Sequence, residues 1–485
     1  MKHSRLYVSG LDGADEHLMS RWMQRGLLPH RQALAQAGNF GCLKSTIPPD
    51  TLVSWPSIYT GANPGYHGIW GSYHWNRPHQ SAQIVSAEYC SMPTIWEILN
   101  EAGFTTGLFQ VPMTYPPRPL SGWIIAPSMQ PVFTYPEVLS GHIRQRFPQY
   151  RFYLDLQKRR LQGASDREML SAARDLLHQQ AEVARTLIKE HPCDFYFLIL
   201  QATDWISHKV TSPARDGDEE QREDDPLLLI YQDTDRVVGS FHNMMKDNDA
   251  LLVLSDHGSQ TCRGGLALNS WLLQNGYLQL KNSPRVMVKK WIGRILSHYP
   301  WTARTAKRFW SSNLRRRCDH QETDVKQNAA TKQEQVSLIK KDDIAWESSR
   351  AYETGWGKIW LAHGDAESRV ILRKEIAQRL MDEHGPRGTG FIAEVHEIAD
   401  LYPGPHIDTG PDLIVESTDW AYIRYTDIAS GLARFVNEIP SVGIHSRDGI
   451  YLTYGEGWGE LKMQDVFDVA PAILRRYGLS PARNI

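Results

Sequence analysis

Six carboxylate and histidine side chains stand beside short apolar segments of the sequence, where buried strands of a sheet would end or begin. Three carboxylates follow the segments 6–8, 195–200 and 250–254, two histidines lie one or four residues further on, and another histidine precedes the segment 449–452. Because ligands bind at the carboxyl ends of strands in an open α/β sheet, we expect all six to share one edge. They are Asp12, Asp204, His208, Asp256, His257 and His445.

The types and spacing of these residues are typical of metal ligands. Asp204 and His208 are four residues apart, which places both on one side of a helix. Asp256 and His257 are adjacent and precede a glycine. Their oxygen and nitrogen donors suit zinc, manganese or iron, and six ligands suffice for two ions. Two ions about 4 Å apart would hold the attacking and leaving oxygens of a phosphoryl transfer in line.

Thr51 is the candidate nucleophile. It stands where a helical segment begins, and the N–H groups at a helix N-terminus favour a phosphoryl anion. A metal-bound hydroxyl loses its proton more easily than a free one, so a threonine there could attack at neutral pH. Considered alone, such a threonine is more often an N-cap, a single aspartate a turn residue, and a single histidine a hydrogen-bonded residue. The case for chemistry therefore rests on the combination.

The elements that position these residues alternate along the chain. Apolar, strand-like segments stand at 6–8, 106–109, 195–200, 250–254 and 449–452. Longer segments with helical periodicity lie between them, at 16–36, 94–102 and 167–189. This alternation predicts an α/β fold with a mostly parallel sheet, and the continuous apolar character of the strands predicts helices on both faces.

Composition excludes several classes of protein. The 485 residues carry 53 Lys and Arg against 55 Asp and Glu, which argues against a globally basic nucleic-acid-binding protein and predicts no specific nucleic-acid partner. No apolar run approaches the roughly 18 residues of a transmembrane helix. The five cysteines are scattered and form no CxxC pair, which is typical of a reducing compartment and predicts a cytoplasmic location.

One segment interrupts the alternation. Residues 281–317 contain eleven Lys and Arg, interleaved with aromatic residues, and no Asp or Glu. We interpret 262–343 as an inserted cap or lid, and 1–261 together with 344–485 as a discontinuous catalytic core. The cations would attract a phosphorylated substrate or an anionic membrane surface, or else form the solvated face of cap helices.

Together these features resemble the type I phosphodiesterase/nucleotide pyrophosphatase family of the alkaline phosphatase superfamily. The similarity covers most of the chain outside the insertion and implies an alkaline-phosphatase-like fold with an inserted cap. It rests on seven stretches in the family's order: GLDGAD (10–15), STIPPDTLVSWPSIYTGANPGYHGI (45–69), PTIWEILNEAGFTTGLFQVPMTYPP (93–117), DWISH (204–208), SDHG (255–258), GPDLIV (410–415) and GIHSRDGIYLTYGEG (443–457).

The resemblance implies a di-metal hydrolase of phosphoric esters, with zinc as the expected ion and manganese or another divalent ion as the alternative. One metal would be held by Asp12, Asp256 and His257, shared with the Thr51 oxygen. The other would be held by Asp204, His208 and His445. Attack by Thr51 would give a phospho-threonine intermediate, which water then hydrolyses. Ser54 is interpreted as standing in for a phosphate-binding asparagine, which makes a nucleotide preference doubtful.

Several functions remain open on the same core. A phosphodiesterase or pyrophosphatase acting on a phosphorylated small molecule is favoured because no Lys or Arg follows Thr51 within ten residues, and a monoester would call for a cation there. A phosphomonoesterase, a phosphonate hydrolase and a phosphomutase are the alternatives. A membrane-associated enzyme acting on lipid head groups would use the basic segment. A metal-binding scaffold without turnover would be expected to lack a ligand or the nucleophile, and none is missing. The oligomeric state does not follow from the sequence.

Overall fold

The computed structural model describes residues 4–76, 81–131, 133–210, 212, 223–289, 339, 341–362, 364–383, 390–424, 433–434, 443–459 and 461–480. The strands are β1 (Leu6–Leu11), β2 (Asn39–Lys44), β3 (Tyr73–Asn76), β4 (Ser81–Ile84), β5 (Thr106–Phe109), β6 (Gly122–Ile125), β7 (Thr134–Tyr135), β8 (Phe195–Leu200), β9 (Ala250–Leu254), β10 (Gly258–Thr261), β11 (Gly264–Leu266), β12 (Ala351–Glu353), β13 (Lys358–Leu361), β14 (Ile392–Glu397), β15 (Leu413–Ser417), β16 (Tyr422–Arg424), β17 (Ala433–Arg434), β18 (Gly443–Ser446) and β19 (Asp448–Tyr454).

The α-helices alternate with the strands in the first half of the chain, as the sequence predicts. They are α1 (Glu16–Gln24), α2 (Pro29–Ala37), α3 (Thr51–Thr60), α4 (Pro64–His67), α5 (Ile95–Glu101), α6 (Val138–Arg146), α7 (Leu156–Leu161), α8 (Asp166–Glu190), α9 (Ala202–Lys209), α10 (Pro226–His242), α11 (Leu268–Gln274), α12 (Ala366–Met381), α13 (Ile398–Leu401) and α14 (Val469–Arg476). Across the described ranges, no helix is both long enough and apolar enough to cross a membrane.

An eight-stranded sheet forms the centre of the protein. Its order is β2-β19-β9-β1-β8-β5-β6-β7. The five strands from β9 to β6 are parallel to their neighbours, while β2, β19 and β7 join the sheet in antiparallel pairs. The sheet is therefore mostly parallel, and its central strands all end at one edge.

Helices cover both faces of this sheet, which confirms the predicted layering. Along β1 the side chains alternate: Tyr7 and Leu11 pack into one hydrophobic cluster, whereas Leu6 and Val8 pack into the other. The first cluster includes apolar residues of α1, α2, α8 and α10, and the second includes residues of α3, α5 and α14. The central strands β1, β5, β8 and β9 are buried along their whole length, which explains their continuous apolar sequences.

Local sequence signals set most helix boundaries. The stretch of helical periodicity over 16–36 forms two helices, α1 and α2. Gly26 has a φ of +69°, a left-handed conformation that glycine tolerates, and Pro29 begins the second helix. The helix predicted over 167–189 is α8, and it begins with a capping box formed by Ser165 and Glu168.

A second, smaller sheet is built from the later part of the chain. Its order is β12-β13-β15-β14, and all its pairs are antiparallel. It shares a hydrophobic cluster with Leu268, Trp271 and Tyr277, which belong to the beginning of the predicted cap. Residues 290–338 lie outside the described residues, and with them most of the basic segment 281–317. The division into core and cap therefore stays a prediction.

Candidate active site

The carboxyl edge of the main sheet gathers the predicted side chains from three neighbouring strands. Asp12 directly follows β1, Asp204 lies in the first turn of α9 after β8, and Asp256 and His257 follow β9. His445 arrives differently. It lies on β18, which pairs with β10, so that His445 stands opposite Ser259, two residues beyond His257. The two-stranded ribbon of β10 and β18 thus holds His445 beside the site.

Thr51 and His257 form the centre of the first predicted ligand group. Thr51 Oγ1 lies 2.9 Å from His257 Nε2. The same nitrogen lies 3.3 Å from Asp256 Oδ2 and 3.6 Å from Asp12 Oδ1. Asp12, Asp256 and His257 therefore offer three donor atoms within 4.8 Å of one another, a spacing that fits one metal ion.

The second predicted group converges on Asp204. Its Oδ1 lies 3.1 Å from His208 Nε2 and 3.4 Å from His445 Nε2, and the two histidine nitrogens are 2.8 Å apart. The ring of His445 also stacks on that of His257, with centroids 3.5 Å apart. The two groups are therefore contiguous, as a di-metal site requires.

Backbone carbonyls contact the Nδ1 atom of all three imidazole rings. Each Nδ1–H donates to a carbonyl oxygen: His208 to Gly443 at 2.9 Å, His257 to Gly258 at 2.9 Å, and His445 to Pro49 at 2.6 Å. Each Nε2 is consequently directed at the cluster. Metal-binding histidines are commonly oriented by a hydrogen bond of this kind from the other ring nitrogen.

The carboxylates carry unsatisfied, buried oxygens. Oδ1 of Asp12, Oδ1 of Asp204 and Oδ2 of Asp256 accept no hydrogen bond from any residue in the described part of the chain. Leaving buried acceptors unpaired is costly unless a cation or another donor faces them. Together with three directed imidazole nitrogens, these oxygens form a donor set that fits divalent metal ions.

The electrostatics of the site also call for positive charge. Burial raises the pKa of Asp12 well above its usual range, and the nearby carboxylates of Asp256 and Asp204 raise it further. Burial likewise raises the pKa of Asp256 to about 7. Burial lowers the pKa of His257 well below its usual range, so its ring stays neutral. A neutral imidazole is the form that ligates a metal.

Asp204 differs from the other two carboxylates. Burial acts to raise its pKa, but the His208 and His445 side chains outweigh burial and hold the pKa well below its usual range. Asp204 is therefore the carboxylate of the cluster that stays ionised most readily. Gly13, with a φ of +67°, lies against it: a Cβ at Gly13 would stand 3.1 Å from Asp204 Oδ1.

Helix α3 begins at Thr51, the candidate nucleophile. Asp50 caps it by accepting a hydrogen bond from the Leu52 N–H at 3.1 Å, and Gly61 ends it in a left-handed conformation. Thr51 is thus the first helical residue, as the sequence predicts. The Thr51 N–H donates no hydrogen bond to the described residues, which leaves it available to an anion bound at this helix end.

Trp55 joins this helix to the first ligand group. Its indole Nε1–H donates to Asp12 Oδ2 at 3.2 Å, which leaves Oδ1 directed at the cluster. The ring is fully buried against β1, where a Cβ on Gly10 would lie 2.5 Å from Trp55 Cη2. Gly10 therefore makes room for the indole, a role that the sequence analysis did not identify.

A buried ion pair involves Asp50, the residue that precedes Thr51. Lys358 Nζ donates to Asp50 Oδ2 at 2.7 Å and to the Trp70 carbonyl at 2.7 Å. The side chains of Lys358 and Asp50 are only 7% and 8% exposed. No Lys or Arg follows Thr51 closely in sequence, yet the folded chain places Lys358 beside the start of α3. The charge of Lys358 is balanced by Asp50.

Ser54 is the one predicted site residue that the structure does not bring to the cluster. It is fully buried, and its hydroxyl lies 2.8 Å from both Ser45 Oγ and Thr46 Oγ1. This hydroxyl network joins α3 to the end of β2. Ser54, one helical turn beyond Thr51, therefore helps to pack α3 against the end of β2.

Comparison with known proteins agrees with this geometry. Residues 7–386 match the family model described as type I phosphodiesterase / nucleotide pyrophosphatase. No protein of curated function matches the chain in sequence.

Solved structures resemble the chain over nearly its whole length. Phosphonoacetate hydrolase from Sinorhizobium meliloti 1021 superposes with a TM-score of 0.58 at 15% identity, covering 96% of this chain and 94% of that one. Human ectonucleotide pyrophosphatase/phosphodiesterase 5 gives 0.50 at 12% identity, covering 99% and 97%. The murine form, in an inactive threonine-to-alanine variant bound to AMP, gives 0.52 at 12% identity with the same coverage. These likenesses confirm the expected alkaline-phosphatase-like α/β fold.

Proposed function

The chain belongs to the type I phosphodiesterase / nucleotide pyrophosphatase family of phosphoric ester hydrolases, and on that premise we propose that it is a di-metal phosphodiesterase that acts through Thr51. The observation that carries this proposal is the convergence of three imidazole Nε2 atoms and three unsatisfied carboxylate oxygens beside the Thr51 hydroxyl. A structural cluster of polar residues would instead satisfy its own donors and acceptors.

Two sets of residues would hold the ions. Asp12, Asp256 and His257 with the Thr51 oxygen form one set, and Asp204, His208 and His445 form the other. We propose zinc for both, with manganese as the alternative, because mixed carboxylate and imidazole donors suit either ion. When bound, the ions supply the positive charge that offsets the buried carboxylates, lowers the pKa of the threonine hydroxyl and stabilises charge on the phosphoryl oxygens.

Thr51 carries out the first step from the N-terminus of α3. Its Oγ1 forms a bond to phosphorus as the bond from phosphorus to the leaving oxygen breaks. The hydroxyl proton passes to solvent, and the leaving oxygen takes a proton from solvent. The Thr51 N–H and the positive end of the helix dipole stabilise the phosphoryl oxygens during this attack. The product is a phospho-threonine ester and the free alcohol or phosphate.

Water completes the cycle. Its oxygen bonds to phosphorus, the bond from Thr51 Oγ1 to phosphorus breaks, and the threonine hydroxyl is restored. His208 and His445 stand on the side of the cluster where Asp204 remains ionised, and in this proposal the water molecule attacks from that side. Each full turnover consumes one water molecule and leaves the protein unchanged.

The substrate is proposed to be a phosphorylated small molecule with a diester or pyrophosphate linkage. Because the Lys358 ammonium is committed to Asp50 and the Trp70 carbonyl, it offers little to the extra charge of a monoester. A cytoplasmic location is proposed as well, supported by the free thiols of Cys42, Cys90, Cys193 and Cys262. Burial raises the pKa of Cys42, Cys90 and Cys193, which makes these three thiols unreactive.

The test compares wild type with Thr51→Ala and Thr51→Ser after removal of metal with a chelator and restoration with Zn²⁺ or Mn²⁺. Bis-p-nitrophenyl phosphate reports diester cleavage, p-nitrophenyl phosphate reports monoester cleavage, and phosphonoacetate reports cleavage of a carbon–phosphorus bond. We expect wild type to prefer the diester and to require metal. Thr51→Ala should lose at least about 10³-fold in kcat, as enzymes do when their nucleophile is removed. Thr51→Ser should keep partial activity.

Metal content measured on the same samples separates chemistry from binding. Thr51→Ala should retain about two ions per chain on the three-ligand sets that remain, so its loss of activity reflects the nucleophile. Faster cleavage of the monoester or of phosphonoacetate would assign the chain to one of the alternative reactions. Two tightly bound ions without turnover of any of the three substrates would contradict the proposed diesterase.

A further inference from the structure

A strained turn stands beside the candidate active site. Trp356 has a φ of +57° and is flanked by Gly355 at +109° and Gly357 at +75°. Glycine adopts such angles readily, but a bulky residue in the left-handed region is an outlier that its surroundings must enforce. Strain of this kind is concentrated at functional sites, which makes the turn between β12 and β13 a candidate for function.

Buried polar contacts enforce the turn from its N-terminal side. Glu353, which is fully buried, accepts hydrogen bonds on its Oε1 from the N–H groups of Gly355 at 2.8 Å and Gly357 at 3.1 Å. Asn269 fixes Glu353 in turn, since its side chain donates to the Glu353 carbonyl at 2.9 Å and accepts from the Glu353 N–H at 2.8 Å.

The other side of the turn is anchored to the nucleophile helix. Lys358 directly follows Gly357, and its ammonium bonds to Asp50, the residue that caps α3. The turn therefore cannot move without disturbing a buried ion pair behind Thr51. Both ends of a turn that spans only three residues are thus fixed.

This rigid turn places the indole of Trp356 at the cluster. The ring lies 4.6 Å from the imidazole of His445, centroid to centroid, at an angle of 35°. Trp356 itself is partly exposed, whereas His445 is buried. The ring of Trp356 is therefore a partly exposed aromatic surface in contact with a candidate metal ligand.

We propose that Trp356 determines substrate specificity by stacking an aromatic group of the phosphoric ester, so that aryl-bearing substrates are preferred over alkyl ones. This inference rests on the proposed function only in using the same site. An indole offers a large, rigid face at a low cost in conformational entropy, because it has only two rotatable bonds. If Trp356 served only to hold His445 in place, its ring would not need to be exposed. The Pro49 carbonyl already orients that histidine.

Binding of inert analogues tests the inference without turnover. We would measure the affinities of phenylphosphonate and methylphosphonate by calorimetry on the metal-loaded protein, for wild type, Trp356→Leu and Trp356→Phe. The expected result is a preference for the phenyl analogue in wild type that falls about threefold to tenfold in Trp356→Leu. Trp356→Phe should retain most of the preference. Trp346→Leu, at another partly exposed tryptophan that packs on Trp75 and Tyr352, is the matched control and should change nothing.

The outcomes separate this inference from the proposed function. An equal loss of affinity for both analogues in Trp356→Leu, with metal content unchanged, would overturn the inference and leave Trp356 as packing for His445. An unchanged preference would overturn it as well. If wild type cleaves no phosphodiester but its phenyl preference depends on Trp356, the specificity assignment stands while the diesterase proposal fails.

Discussion

The ion pair between Lys358 and Asp50 offers the sharpest test of how the nucleophile is held. Its two atoms are 2.7 Å apart, and both side chains are more than nine-tenths buried. Replacing Lys358 by Met leaves the Asp50 carboxylate buried with the Leu52 N–H as its remaining described donor. Removing one partner of a buried pair costs about 3–5 kcal/mol, because the other charge is left uncompensated.

That cost converts into a measurable shift. At about 2.1 cal/mol/K per residue, a chain of 485 residues that unfolds as one unit has an unfolding entropy of about 1 kcal/mol/K. Lys358→Met should therefore lower the thermal midpoint by about 3–5 °C. Differential scanning calorimetry on wild type, Lys358→Met, Asp50→Asn and the double variant gives the complete cycle. The double variant should recover at least half of the loss, since no buried charge is then left alone.

An exposed pair supplies the control. Lys44 and Asp448 form an ion pair with side chains that are 51% and 48% exposed. Lys44→Met makes the same chemical change on the surface and should shift the midpoint by less than about 1 °C, because exposed pairs contribute little. If Lys358→Met behaves like Lys44→Met, or if the double variant is no more stable than Lys358→Met, the pair does not hold α3 in the way described.

Two further results are expected. Trp55→Phe should keep most of the packing on β1 but remove the hydrogen bond to Asp12, and so weaken metal binding about 10- to 100-fold; competition with chelators of graded strength measures this, and full retention of metal would contradict it. Burial lowers the pKa of His67 to about 3, so the folded state resists a proton that the unfolded state binds near pH 6.5. Stability should therefore fall as the pH drops below about 6.5, and between pH 7 and 5 wild type should lose about 2 kcal/mol more than His67→Gln in denaturant titrations. Equal losses in the two proteins would show that His67 does not set this dependence.

Much of the fold could be predicted because its signals are local. The segments 195–200 and 250–254 became β8 and β9 with the predicted bounds, since strands buried on both faces must be apolar throughout. The division of the helical stretch 16–36 into α1 and α2 is also local: Gly26 and Pro29 end one helix and begin another. Turn chemistry outweighed the hydrophobic pattern there.

The sequence by itself predicted which residues form the candidate site. Metal-ligating residue types at strand ends identified Asp12, Asp204, Asp256 and their histidines, because the parallel strands of a sheet deliver their carboxyl ends to one edge. The residue at the start of α3 could likewise be chosen, since helix beginnings carry recognisable capping signals. Neither inference needs knowledge of distant contacts.

Only the tertiary structure decided which side chains support that chemistry. Lys358 bonds to Asp50 across 308 positions of sequence, and Trp356 reaches His445 from a turn held by Glu353 and Asn269. No periodicity or spacing encodes such pairs, because they join residues far apart in the chain that only the folded structure brings together. Ser54 shows the converse: it lies one turn from Thr51 in sequence, yet packing directs its hydroxyl into the contact with Ser45. The burial and direction of each side chain are properties of the packed molecule, and these set which neighbours of the nucleophile can act.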